Sequence, residues 1–493
     1  MTADVVVVGS GPNGLAAAVT MARAGLVVQV YEGADEIGGG LRTKALFRSD
    51  VRHDICSAVH PMAAASPFFR EFDLPARGVE LLQPEAGYAH PLRRGPAAIA
   101  YRSLERTCAE LGADGARWRA LMAPLLRHSE GLVDYLLSGQ RSLPRDPVVP
   151  LLLAGPVLAH GTGLATSRFA EPQAAALLAG VAAHVVGRMP TPASAVVALM
   201  LGHLAHGSGW PVPRGGSAAI ADALAADLAA HGGKIVTGQR IGDLREVRGA
   251  RAILLDVGPK EFLAIGGPLL PDRYRAALRA FRYGPGAAKV DFLVSEPIPW
   301  ADPRVGRAAT VHLGGTQREV FRQETLVARG LPGREPFVLV VDPVAADPGR
   351  AAGGYRPVWA YAHVPNGDPV DPVALVTARI EQFAPGFAET VVERRALSAP
   401  DLERYNPNYV GGDIAAGAMT LRQSVLRPTP RWDPHRTALR GVYLCSTATP
   451  PGPGVHGMAG YLAARSALRR EFGIRTAPSL APGAGIGGVG GGG

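Results

Sequence analysis

Cysteine is scarce. Three residues in a chain of 493 (Cys56, Cys108 and Cys445) are too few and too scattered for a disulfide framework or a zinc site. There is no C-x-x-C, which argues against thiol–disulfide chemistry. Lysine is also rare: of 51 basic residues only Lys44, Lys234, Lys260 and Lys289 are lysines, and the arginines form no run of five. The formal net charge of +9 is therefore spread thinly, and no nucleic-acid partner is expected. Long hydrophobic runs are missing too. The longest, Pro147 to Ala159, is shorter than the ~18–20 residues of a membrane span and contains three prolines. No basic segment or cleavage site precedes the first apolar run, Val5-Val8. A soluble, cytoplasmic chain is expected, with attachment to a membrane surface left open.

What is present describes a globular protein. Apolar residues make up 47% and charged residues 19%, which excludes a disordered chain. Glycine and proline, 62 and 43 residues, show no G-x-y period, so collagen is excluded and a loop-rich α/β protein is favoured. The length exceeds one ordinary core and predicts two or three domains.

Residues 4–32 read as a βαβ unit. Val5-Val8 is a short, continuously apolar run, as a buried parallel strand requires. Gly9-Ser10-Gly11-Pro12-Asn13-Gly14 forms the turn, Leu15 to Ala24 the helix, Gly25 its end, and Val27 to Tyr31 the next strand. Ser217 reads as the N-cap of a later helix with Ile220, Leu224 and Leu228 on one face. Strands are predicted at 234–237, 251–256 and 441–445. Residues ~100–207 are helical in pattern and rich in alanine and leucine. Runs at 289–294, 337–341 and 358–362 read as an antiparallel sheet. The expected layout is a discontinuous nucleotide domain (1–75, 208–262 and 410–475) and a substrate domain (76–207 and 263–409) that includes the helical insert 100–207. A disordered tail is expected over 476–493.

Gly9-x-Gly11-x-x-Gly14 gains weight from its context. It follows a strand, opens a helix, and has Glu32 eighteen residues after its third glycine. The glycines let the backbone approach a pyrophosphate, the helix N-terminus offers N–H groups, and Glu32 can accept from ribose hydroxyls. Pro12 and Asn13 belong to the same loop. Ile37-Gly38-Gly39-Gly40-Leu41-Arg42-Thr43 supplies a second clamp, in which Gly39, Gly40, Arg42 and Thr43 are candidate contacts. This second clamp favours a tightly held FAD over a nicotinamide cofactor. A further G-x-G-x-x-G at 483–488 has no strand before it and reads as low-complexity tail.

The cluster from Thr447 to Gly460 opens the last helix, predicted from about Met458 to Glu471. Its N-terminus would offer donors to a reduced flavin, with Gly454, His456, Gly457 and Met458 as contacts. His456 is the better-placed candidate for a catalytic group and His53 the weaker. His53 and Asp54 are neighbours on a predicted strand, face opposite ways and cannot form a simple dyad. A structural or substrate-loop role is the main reading for His53, with direct proton transfer the alternative. No metal site is expected.

These residues carry a resemblance. The Gly9-to-Thr43 stretch, His53-Asp54, Gly215-Gly216-Ser217, Tyr283-Gly284-Pro285-Gly286 and the closing cluster resemble the phytoene-desaturase-like flavoprotein family. Asn406 to Asp413 and Leu444 to Gly452 look most like its branch called pyridine nucleotide-disulfide oxidoreductase domain-containing protein 2. The resemblance implies an α/β fold with a Rossmann-like FAD-binding domain, of amine oxidase and carotene desaturase type. It also implies noncovalent FAD held by Gly9, Gly11, Gly14, Glu32 and Arg42. Carotenoid desaturases typically have Thr-His-Pro where this chain has Thr449-Pro450-Pro451, which departs from phytoene chemistry.

The expected function is removal of hydride from a C–H bond of a hydrophobic, carotenoid- or isoprenoid-like small molecule. Dioxygen or a quinone would be the electron acceptor, and the oligomeric state is left open. A flavin amine oxidase is the nearest rival. A non-redox lipid- or prenyl-binding escort on the same fold is the rival of another class.

Overall fold

The computed structural model describes residues 3–139, 143–163 and 169–483. Five parallel strands form the first sheet, in the order Val442–Leu444, Ala252–Leu255, Val5–Val8, Val28–Tyr31 and Lys234–Val236. Val5–Val8 lies at the centre, hydrogen-bonded on both sides and covered on both faces, so its unbroken run of valines is buried throughout. Three helices cover one face. Pro12–Arg23 packs between Ala218–Ala230 and Met458–Glu471. Pro12 takes the first helical position, where a missing N–H costs nothing. Ile220, Leu224 and Leu228 are buried as their spacing requires. Ser217 does precede that helix, yet its hydroxyl caps nothing. It donates to Ser57 O (2.6 Å) and meets His60 Nε2 (2.8 Å) instead.

Seven strands form the second sheet, in the order Val391–Leu397, Gly286–Val294, Arg356–Val364, Val338–Val341, Ala308–Leu313, Ala86–His90 and Ala98–Tyr101. Contrary to the expected antiparallel sheet, it is mixed, because Ala308–Leu313 runs parallel to Ala86–His90. Those two strands are separated by the whole helical insert, so no hairpin sets their direction. Alternation divides the sheet's faces. Val358, Ala360 and Ala362 turn toward the helices Val373–Glu381 and Phe387–Thr390. Trp359 and Tyr361 turn the other way, toward the helical insert and the first sheet.

The insert contains the helices Leu104–Glu110, Gly115–Arg127, Ser129–Leu136, Val148–His160, Pro172–Ala182 and Pro192–His206. Residues 476–483 depart from the free tail expected there. Arg23 donates to Ser479 O and Ala481 O, Arg77 to Leu480 O, and the Leu480 side chain is fully buried. The rest of the predicted tail, with the second glycine pattern, lies outside the described residues.

Candidate active site

The ends of three parallel strands place the first site residues. Val8 pairs with Tyr31 on one side and Leu255 on the other, so the next residues Gly9, Glu32 and Asp256 converge. Gly9 adopts φ +96°, and a Cβ at Gly14 would stand 2.2 Å from Gly9 O. Both positions therefore require glycine. Glu32 is tied to this loop: Oε2 accepts from Ser10 N (2.9 Å) and Ser10 Oγ (2.6 Å), and Oε1 from Ala34 N (2.9 Å) and Arg42 Nη2 (3.4 Å). Arg42 Nε donates to the carbonyls of Glu36 (3.0 Å) and Ile37 (3.3 Å), and the guanidinium lies over the Tyr405 ring. Asn13 is buried, and its Oδ1 has no partner.

A cavity of about 790 Å³ begins at this loop and reaches the inner face of the second sheet. Gly9, Gly11, Pro12, Asn13, Glu32, Gly39, Gly40, Arg42 and Gly454, nine of the candidate cofactor contacts, line it. Gly14 stands behind the loop, its N–H donated to Asp256 Oδ2 (3.0 Å).

Gly14 and five other predicted residues do not line the cavity. Thr43 Oγ1 donates to Asp54 Oδ1 (2.7 Å) and accepts from Ala218 N (3.1 Å), which makes it a brace between the clamp and a helix. His456 is buried beneath the closing turn; Nδ1 accepts from Met458 N (3.0 Å) and Nε2 faces Gly452 O (3.1 Å). With both ring nitrogens occupied and burial pushing its pKa down to about 4, His456 shapes the turn and has no atom left for proton transfer. Gly457 takes φ +68° against Phe68, and Met458 is buried in the core.

His53, the other catalytic candidate, is also outside the cavity. Its side chain is fully buried with both ring nitrogens unpartnered, and burial, then the nearby Lys289 and Arg350 charges, push its pKa down to about 3. Asp54 faces away from it, accepting from Arg350 Nη1 (3.0 Å) and Ser217 N (2.9 Å).

Sequence reasoning missed several lining residues. Asp256 ends the strand Ala252–Leu255 beside the glycine loop, and burial, with the Glu32 charge adding, pushes its pKa up to about 7 despite the Gly14 N–H bond. Tyr409 and Cys56 meet at 3.4 Å next to Gly40. Trp359, Tyr361, Leu339, Val341 and Thr310 come from the second sheet, and His184 and Trp210 from the end of the insert. Of these only Leu339, Val341, Trp359 and Tyr361 fall in runs that the sequence marks as strands. The buried pair Lys289–Asp291 lies beside Trp359 on the same sheet face.

The charges along this cavity are sorted. Glu32, Arg42, Arg240, Asp256, Glu261 and Arg404 are the charged side chains among its described lining, and none comes from the insert or the second sheet. The cavity is charged at the strand ends and uncharged, apolar and aromatic beyond them.

Residues 7–72 match the family model of the NAD(P)-binding Rossmann-like domain. A mouse protein named pyridine nucleotide-disulfide oxidoreductase domain-containing protein 2 is 27% identical over 94% of this chain and 93% of its own length. A limonene dehydrogenase chain of Castellaniella defragrans is 23% identical over 96% of this chain and 95% of its own. Among solved structures, putrescine oxidase bound to putrescine superposes with a TM-score of 0.56 at 15% identity, over 95% of this chain and 98% of that one. These relatives and this solved structure are oxidoreductases by name. The likeness to the mouse protein is the resemblance that Asn406 to Asp413 and Leu444 to Gly452 carried, and the fold is the Rossmann-like one shared with amine oxidases. No helix among the described residues is long and apolar enough to cross a membrane.

Proposed function

We propose that the protein is an FAD-dependent oxidoreductase that takes hydride from a C–H bond of a hydrophobic small molecule. The division of one cavity into a charged end at the glycine loop and an uncharged end against the second sheet carries this reading. The charged end fits a dinucleotide. Gly9, Gly11 and Gly14 leave room for close backbone approach, the unpartnered Asn13 Oδ1 is a buried polar atom lacking a mate, and Arg42 is held rigid for a phosphate. Gly39, Gly40 and Gly454 close the same space. FAD, when bound, supplies the hydride acceptor, with dioxygen or a quinone reoxidising it.

The uncharged end fits a ligand with little charge of its own. Ligand sites of this kind are mostly apolar with a few placed polar groups. The amine oxidase alternative has aromatic walls in its favour, Trp359 and Tyr361. Against it, no carboxylate among the described residues of the insert or the second sheet lines the cavity, so an ammonium group there would be desolvated without a counter-charge. The name of the limonene dehydrogenase relative supports a terpenoid-like substrate over an amine. The escort alternative gives no reason for the glycine cradle and Arg42 to be retained.

The test is spectroscopic. Purified protein is expected to show flavin absorption bands and to release FAD on denaturation. Arg42→Ala is expected to lower its flavin content, since a charge-assisted contact is worth ~1.5–3 kcal/mol. Anaerobic mixing with isoprenoids should bleach the flavin, while mixing with primary amines should not. A colourless protein, or bleaching by amines alone, would overturn the proposal.

A further inference from the structure

The uncharged end of the cavity is not wholly apolar. His184 lies in the short turn Ala183–Val185 after the helix Pro172–Ala182 and lines the cavity beside Trp210, its ring edge-on to the indole at 5.7 Å. Its Nε2 is 2.9 Å from Nε2 of His312, on the strand Ala308–Leu313. His184 Nδ1 has no hydrogen bond among the described residues.

The chain goes to some length to build this pair. His312 is fully buried, and its own Nδ1 has no partner. It approaches the helix only because residue 180 is glycine: a Cβ there would lie 2.9 Å from His312 Cβ and 2.4 Å from His90 Nδ1. The residue that ends the His184 turn, Val186, holds φ +43° and ψ +70°, a left-handed conformation that is strained for a β-branched side chain. Strain of that kind persists only where the surroundings impose it, and it concentrates at sites that hold ligands. Thr310 stands two residues before His312 on the same strand face and also lines the cavity, a second uncharged polar group in this part of the wall.

We propose that His184, backed by His312, is the specificity-determining residue that grips a hydroxyl group on an otherwise hydrophobic substrate. The proposal rests on the hydrophobic-substrate reading above and narrows it. Burial keeps both imidazoles neutral, so neither a carboxylate nor an ammonium finds a counter-charge here. Two neutral rings joined Nε2 to Nε2 have one proton between them. If His312 donates, His184 Nδ1 carries a hydrogen; if His184 donates, Nδ1 presents a lone pair. A hydroxyl satisfies either arrangement, because it both donates and accepts. A carbonyl satisfies only the first and a hydrocarbon neither. His312 fixes the His184 ring in place, so the hydrogen bond is made without reordering a free side chain.

Displacement of a fluorescent apolar probe from the FAD-loaded protein tests this, with 1-decanol and decane as competitors. Both should displace the probe, with decanol favoured by about tenfold, the value of one hydrogen bond to a group otherwise buried unpaired. His184→Phe should remove the preference while leaving decane affinity within about twofold, and Tyr361→Phe should keep it. His312→Phe should reduce the preference by freeing the His184 ring. Equal displacement by both competitors in the wild type, or a preference that survives His184→Phe, would overturn the proposal and leave the hydrophobic reading standing. Failure of both competitors to displace the probe would overturn both.

Discussion

At the scale of single residues, Asp256 is the most consequential group that the sequence concealed. The glycines and Glu32 were readable because a βα turn writes its requirements locally: φ above zero, no Cβ, an acid at the next strand's end. Asp256 reaches the loop from a strand more than two hundred residues away, and nothing in the run Ala252–Leu255 marks the residue after it. Thr43 and His456 lie off the cavity for the converse reason. Their neighbours in sequence suggested contact with a cofactor, but packing turned them inward to brace a strand and a turn, while His53 is buried away from the cavity in keeping with a structural role. The Asp256 carboxyl lies against Gly14 N and near Glu32, where the diphosphate of a dinucleotide would add further negative charge. Its pKa is raised, so the folded state binds the proton more tightly than the unfolded one. The stabilisation that protonation protects is present at low pH and fades as pH rises from about 4 through about 7, and ionising the group costs about 4 kcal/mol. FAD retention is therefore expected to weaken between pH 6 and pH 8. Asp256→Asn keeps an acceptor for Gly14 N without the charge, so it should hold FAD several-fold more tightly at pH 8 and flatten the profile. Dialysis of holoenzyme across that range, followed by absorbance, checks this; an unchanged slope in the variant would show that another group titrates.

At the scale of elements, the contact between the first and last helices joins the glycine loop to the C-terminal cluster. Pro12–Arg23 and Met458–Glu471 meet at Gly460, where a Cβ would stand 1.9 Å from Asn13 O. The contact is to backbone of the dinucleotide loop itself, so no side chain can swing away to relieve it. Gly460→Ala is expected to cost at least the ~1–3 kcal/mol of ordinary overpacking and to shift Asn13, lowering both the melting temperature and the FAD content. Thermal unfolding with flavin fluorescence as the second readout would show the two falling together; wild-type values for both would show that the helices separate without disturbing the loop. The same two helices were visible in the sequence, the last within a residue of its ends, because capping glycines and prolines flank each. Strands of the second sheet were harder to see. Val391–Leu397 is an edge strand carrying Glu393, Arg394 and Arg395 exposed, so its pattern is that of a solvated segment. Ala86–His90 is buried throughout yet offers Gly87 and three small or polar residues, with no β-branched run to betray it.

At the scale of the whole molecule, the proposed hydrophobic substrate would have to reach a cavity inside the protein from water, and one side of the cavity bears on that problem directly. The helix Val148–His160 contains no Asp, Glu, Lys or Arg. Val157 turns inward to line the cavity, with Leu136 and Leu137 from the preceding helix beside it. Leu151 and Leu158 turn outward, 76% and 64% exposed, and Leu143 just before the helix is 91% exposed. Scattered surface leucines need no explanation, but an uncharged helix that presents leucines outward and forms cavity wall inward is suited to rest on a lipid surface. Arg145, at the entry to this helix, keeps most of its side chain in solvent and would meet anionic headgroups. The protein is therefore expected to co-sediment with vesicles containing phosphatidylserine, less so at high salt because the charged part of the attraction is screened. Leu151→Asp combined with Leu158→Asp should abolish most of that binding, since each places a charge where an apolar group would enter the headgroup boundary. The same double variant should leave FAD content and melting temperature nearly unchanged, because both positions are solvent-exposed in the free protein. Equal co-sedimentation of variant and wild type would show that this helix is not the contact, and would turn attention to the exposed Leu421 and Val425 on the helix Leu421–Leu426, where Leu421 also lines the cavity.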